Sequence, residues 1–153
     1  MEINHRDVLR IYRQLNGRTL ISWIEKGLFK PLYEPENRGG KRSYSYQNLV
    51  EIGIIKELSL LGFPIKRIKV VMEHDSIRNR INSEDYDFFL LISINNVNIL
   101  NAESMKKVGT TSFMPLVQDV PAEKVDSGVV LSGHRGVWVD VRSIRQLVDE
   151  DLG

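Results

Sequence analysis

The chain of 153 residues contains no cysteine. This absence excludes disulfide bonds, thiolate metal ligands and cysteine nucleophiles, and it suits a reducing compartment. The apolar runs, such as residues 88–92, are far too short to cross a bilayer. Residues 1–7 are polar and lack the apolar core of a signal peptide. From these absences we expect a soluble, cytoplasmic protein that has no contact with membranes.

The chain also lacks an excess of charge of one sign. It has 21 Lys and Arg against 20 Asp and Glu, a net charge of +1, which argues against binding to nucleic acid through bulk positive charge. The charges are unevenly divided, because residues 1–80 carry a net +6 and residues 81–153 a net −5. We therefore expect a polyanionic partner to bind the N-terminal part.

Two short helices separated by a glycine-containing turn are indicated near the N-terminus. Their apolar residues recur at helical spacing: Val8, Ile11, Tyr12 and Leu15 in the first, and Leu20, Ile24 and Leu28 in the second. Asn4 is suited to cap the first helix, and Gly17 to end it. Thr19 opens the second helix and Gly27 ends it. This order is typical of a helix-turn-helix.

The next stretch cannot continue a helix, because Pro31 and Pro35 lack amide donors and restrict the residues before them. Two extended arms around Gly39-Gly40 predict a small hairpin over residues 31–45, which we call the wing. Beyond it, two further helices are predicted, the third capped by Ser45 and ended by Gly62, the fourth with Pro64 at its first position. Their apolar residues are Leu49, Ile52, Ile55 and Leu58, then Ile65, Ile68 and Met72.

The remainder of the chain predicts mixed structure. Residues 76–87 read as a linker or short helix, residues 88–94 and 97–100 as strands joined at Asn95-Asn96, and residues 110–127 as a loop. A second hairpin is expected from residues 129–131 and 137–141, followed by a terminal helix capped by Ser143 and containing Ile144, Leu147 and Val148. The predicted fold class is α+β. Residues 1–75 form a helix-turn-helix domain with a β-hairpin, and residues 88–153 a small α+β domain for dimerisation or regulation.

The search for catalytic chemistry finds no set of residues that belongs together. His5, His74 and His134 lie far apart, and none belongs to a ligand pair at helical spacing. Residues 133–136 lack the spacing of a phosphate loop and are better explained as a hairpin turn. The acidic residues Glu84, Asp85 and Asp87 are more typical of a solvated linker than of a divalent-ion site. We therefore predict no enzymatic activity, no cofactor and no metal site, although an enzymatic C-terminal half is left open.

The N-terminal half offers a surface for DNA. In a helix-turn-helix the second helix enters the major groove while neighbouring elements bind phosphates. The predicted contacts of the second helix are Arg18, Thr19, Ser22 and Lys26, and those of the wing are Arg38, Lys41, Arg42 and Tyr44. Cationic side chains on a rigid hairpin release counterions from phosphates and give affinity without sequence information.

Several of these residues resemble those of a known family, the MerR-type winged helix-turn-helix regulators. The resemblance covers about residues 5–73 and lies in five segments: Thr19 to Leu28, Pro31, Gly40 to Ser45, Leu49 with Ile52, and Leu61 to Ile65 with Ile68. It implies a transcriptional regulator that binds double-stranded promoter DNA, usually as a homodimer. By position it also implies DNA contacts from the second helix, including Trp23, and phosphate contacts from Arg42 and Tyr44. RNA polymerase or an unidentified effector is left open as a further partner.

The chain departs from this family in two places. Inside the second helix, where members usually have an arginine and paired aromatics followed by an acid, Ile21, Ser22, Trp23 and Ile24 are found. Residues 74–87 lack the heptad pattern of the long dimerisation helix that usually follows. Two alternatives therefore stay open: an excisionase-like architectural DNA binder, and a protein–protein adaptor that has lost DNA binding.

Overall fold

A computed structural model describes residues 3–35, 40–92, 97–101, 117–118 and 136–153. The chain divides into two compact units. The first contains Met1–Asp85 together with Ser143–Gly153, and the second contains Tyr86–Arg142. Residues 76–85 of the predicted linker and residues 143–153 of the predicted C-terminal domain thus group with the N-terminal unit. Within the described residues, no helix is long and apolar enough to cross a membrane.

The first unit begins with a short strand and the two helices of the helix-turn-helix. These are β1 (Ile3–Asn4), α1 (His5–Ile11) and α2 (Gly17–Glu25). The predicted cap of α1 is confirmed: the Asn4 side chain accepts from the backbone N–H groups of Arg6 and Asp7, and the Asp7 carboxylate accepts from the Asn4 N–H. This reciprocal arrangement is a capping box, which satisfies donors that a helix start leaves unpaired.

The predicted end of the first helix was wrong. Helix α1 ends at Ile11, and Gly17 is the first residue of α2 rather than a terminator of α1. The reason is Asn16, whose side chain accepts a hydrogen bond from the Arg18 N–H at 2.8 Å and caps α2. The helix therefore begins at Gly17, two residues before the predicted start at Thr19. Gly27 ends α2 as predicted, with a φ of 68° that only glycine adopts without strain.

The wing is anchored by backbone pairing at its base. Strand β2 (Ser43–Tyr44) pairs antiparallel with β1, an interaction that the sequence did not predict. On its other side, Ser43 and Tyr33 exchange two backbone hydrogen bonds of 3.2 Å, which joins the two predicted arms. The predicted turn at Gly39-Gly40 falls largely outside the described residues.

Three helices complete the N-terminal part of this unit: α3 (Tyr46–Leu60), α4 (Ile65–Met72) and α5 (Asp75–Asn82). Ser45 caps α3 as predicted, in a capping box with Asn48. Gly62 has a φ of 81° and lies directly after the α3 C-cap, and Pro64 is the residue before α4 rather than its first residue. Helix α5 occupies part of the predicted linker, and its residues Ile77 and Ile81 are buried.

The terminal helix α6 (Val141–Leu152) belongs to the first unit from Ser143 onward. Ile144 and Val148 are buried, and Ile144 lies against Gly53 of α3. The predicted cap of this helix was wrong, because α6 starts two residues before Ser143. The Asp140 carboxylate, directly before the helix, accepts from the Arg142 N–H at 3.0 Å and takes the capping role.

The second unit contains an antiparallel sheet with strand order β4-β3-β6-β5. The strands are β3 (Phe88–Ile92), β4 (Val97–Asn101), β5 (Val117–Gln118) and β6 (Gly136–Asp140). The predicted strands are confirmed over residues 88–92 and 97–100, and they pair with Phe88 opposite Asn101. The predicted Asn95-Asn96 turn and residues 129–131 lie outside the described residues. The described partners of β6 are β3 and β5. The mixture of helices and antiparallel strands confirms the α+β class.

Candidate nucleic-acid interface

Helix α2 has an apolar face and a polar face. Leu20, Trp23 and Ile24 are buried on the inward side. On the outward side, Arg18, Thr19 and Lys26 are exposed and Ser22 is half-buried. Because residues three, four and seven apart share one side of a helix, α2 presents a short cationic and hydroxyl-bearing surface to solvent.

The same outward face carries a residue that the sequence reasoning missed. Glu25 is exposed, and it lies three residues after Ser22 and seven after Arg18. Its spacing alone was sufficient to place Glu25 there, but the sequence prediction named only basic, hydroxyl-bearing and aromatic side chains of α2 as DNA contacts. The polar face of α2 therefore combines cations with one carboxylate.

Two of the predicted DNA contacts are aromatic residues that the structure places in the core. Trp23 is 3% exposed, because it lies on the inward face of α2 beside Leu20 and Ile24. Tyr44 is 0% exposed, because β2 is covered by the rest of the first unit. Its ring packs near Phe29, with the ring centres 6.4 Å apart. These side chains support the fold around α2 and the wing, and we correct their assignment as direct DNA contacts.

The wing contributes two described cations. Lys41 is exposed, and Arg42 is half-buried with its guanidinium 3.2 to 3.3 Å from the Glu34 carboxylate. Arg38 lies outside the described residues. An ion pair at the surface contributes little to stability, so a phosphate can compete with Glu34 for Arg42. Glu34 thus lowers the positive charge that the wing presents to a polyanion.

A histidine that the sequence reasoning set aside joins α1, α2 and the wing. His5 Nδ1 lies 3.1 Å from the Tyr44 hydroxyl, within hydrogen-bonding distance. A Cβ at Gly17, the first residue of α2, would lie 3.1 Å from His5 Nε2. Burial, with the nearby charge of Arg42, lowers the pKa of His5, so its imidazole is neutral at neutral pH. His5 therefore fixes β2 beside the start of α2 without adding charge.

Other candidate chemistry of the first unit does not converge on a site. Among the described residues, no group of three His, Asp or Glu side chains is placed to hold a metal ion. Asp85 forms a 2.7 Å ion pair with Arg80. An open groove of about 510 Å³ between α1 and α6 is lined by charges of both signs, including Arg13 and Lys56 opposite Glu150 and Asp151. The exposed cations of α2 and the wing, by contrast, form a surface suited to a polyanion.

Part of the chain is similar in sequence to a known family of regulatory proteins. No curated protein matches the chain in sequence. A family model described as MerR HTH family regulatory protein matches residues 6–75, which contain α1, α2, the wing, α3 and α4. The resemblance stated for about residues 5–73 is confirmed by this match. The N-terminal half of the chain, over residues 6–75, thus matches the MerR family of helix-turn-helix regulatory proteins.

Proposed function

We propose that this protein is a sequence-specific DNA-binding transcriptional regulator. In this proposal α2 enters the major groove, with Arg18, Thr19, Ser22 and Lys26 facing the DNA, while Lys41 and Arg42 of the wing bind phosphates. The observation that carries it is the outward cationic face of α2 in a segment that matches a family of helix-turn-helix regulators. Base contacts from a helix in the major groove supply specificity, and phosphate contacts supply position and affinity.

We further propose that the protein binds DNA as a homodimer and that the second unit, Tyr86–Arg142, supplies dimerisation or regulation. Helix α6 is less suited to a dimer contact, because its apolar residues Ile144 and Val148 are already buried within the first unit. The second unit carries five Lys and Arg against six Asp and Glu, a net charge of −1, so it lacks the positive charge that attracts DNA, and we assign it to contact with a protein or effector. The position of half-sites in bound DNA tests dimerisation, because a two-fold dimer selects a palindrome.

The function is tested with the full chain and genomic DNA fragments, followed by titrations at several salt concentrations. Arg42→Ala should weaken binding to all sequences and reduce the salt slope by about 1, whereas Arg18→Ala should cost about 1–3 kcal/mol for the selected site and relax one position. Arg78 is an exposed cation on α5, so Arg78→Ala is the matched control. It should change neither the affinity for the selected site nor the salt slope. Failure of the wild-type protein to bind any fragment at low salt would overturn the proposal and favour an adaptor role.

A further inference from the structure

The carboxylate of Glu25 stands in an unusual place for a surface that binds DNA. Glu25 is the last residue of α2 and is exposed. It shares with Arg18 and Ser22 the stripe that points most directly away from the buried residues of the helix. Within the part of the chain that the structure describes, the Glu25 carboxylate forms no ion pair and no hydrogen bond. Its negative charge is therefore available to whatever faces α2.

A carboxylate interacts differently with the phosphates of DNA and with its base edges. Near phosphates, Glu25 is repelled and opposes the cations Arg18 and Lys26 on the same helix. Over the base edges of the major groove, it meets hydrogen-bond donors, of which the cytosine N4 amino group is the one that Glu and Asp typically contact. A stripe pointing straight away from the core faces the groove floor when the helix lies in the groove. This placement favours the base edge over the backbone.

We propose that Glu25 is a specificity-determining residue that accepts a hydrogen bond from a cytosine amino group in the major groove. Arg18, seven residues earlier on the same stripe, donates to a guanine. Seven residues of helix span about 10.5 Å, and base pairs rise about 3.4 Å each, so the two bases are about three base pairs apart. This inference rests on the proposed function, because it assigns a role within the same DNA surface.

The test is selection from randomised duplexes with the full-length protein, followed by titrations of the selected site. Wild type should prefer cytosine at one position of each half-site. Glu25→Ala should lose this preference and bind the selected site about ten- to a hundredfold more weakly. Glu25→Gln should move the preference toward adenine, because an amide side chain matches the N6 and N7 groups of that base.

A matched control separates base contact from a change in net charge. Glu150→Gln removes one negative charge from an exposed position on α6, and its base preference should equal that of wild type. If both Glu25 variants bind every duplex more tightly with an unchanged preference, Glu25 merely opposes phosphates and the inference is wrong. If wild type binds no duplex, the proposed function itself fails. Circular dichroism should show the same fold in all variants, since Glu25 is at the surface.

Discussion

Gly53 lies in the middle of α3, where α6 packs against it, and it offers a direct test of this contact. A Cβ at residue 53 would overlap Ile144 Cγ2 and lie 2.7 Å from Tyr12 Oη. Neither neighbour moves readily, because Cγ2 is attached to a branched Cβ and the Tyr12 hydroxyl donates a 2.6 Å hydrogen bond to the Leu49 carbonyl. Overpacking costs about 1–3 kcal/mol, and the better helix propensity of alanine returns about 1 kcal/mol. The difference leaves a net loss of about 0–2 kcal/mol, and we expect Gly53→Ala to destabilise the protein by about 1 kcal/mol.

A double-mutant cycle assigns this loss to α6. Ile144→Ala should cost about 2–5 kcal/mol, because it removes a buried side chain and leaves a cavity. The double variant with Gly53→Ala should lose about 1–2 kcal/mol less than the sum of the two single losses, because this cavity accepts the new methyl group at residue 53. Urea unfolding followed by circular dichroism measures each free energy. Leu147→Ala, at a more exposed position of α6, should be additive with Gly53→Ala. Additivity within about 0.5 kcal/mol for the Ile144 pair would refute the docking of α6 on α3.

Three further changes test other contacts of the first unit. Burial, followed by the hydrogen bond to Asp149 and its charge, raises the pKa of Tyr46 to about 12. Since the unfolded tyrosine ionises near pH 10, the contribution of this hydroxyl to stability is complete below about pH 10 and is lost as the pH rises toward 12. The free energy of unfolding of Tyr46→Phe, measured by urea titration, should therefore not show this loss between about pH 10 and 12. Asn4→Ala removes the capping box of α1 and should lower the free energy of unfolding by about 1 kcal/mol. An unchanged free energy of unfolding would contradict a stabilising role of this cap. Glu34→Gln releases Arg42 from its ion pair and should tighten binding to unrelated DNA duplexes. This gain in affinity should disappear when Arg42→Ala is added. An equal gain with and without Arg42→Ala would contradict competition between Glu34 and phosphate for Arg42.

Local features of the first unit followed from the sequence alone. Asn4 and Ser45 were predicted as caps, and Gly27 and Gly62 as terminators, and all four were confirmed. These features depend on side chains and backbone conformations within a few residues, so sequence order is sufficient to determine them. The assignment of Gly17 was wrong because two local signals competed, and the neighbouring Asn16 was the better cap.

Trp23 is buried on the inward face of α2, as its spacing from Leu20 and Ile24 indicates. Only the tertiary structure decided that Tyr44 is inaccessible as well. Tyr44 has the hydroxyl and aromatic ring expected of a DNA contact, yet it is buried beside His5, which lies 39 residues earlier in the chain. The return of α6 to α3 and the pairing of β1 with β2 have the same character, since each joins segments about 40 or more residues apart. The sequence by itself determined the helix-turn-helix and its cationic residues, because both rest on local spacing. Long-range packing determined that Tyr44 lies in the core and that α6 covers Gly53 of α3, because neither contact follows from residues close together in the chain.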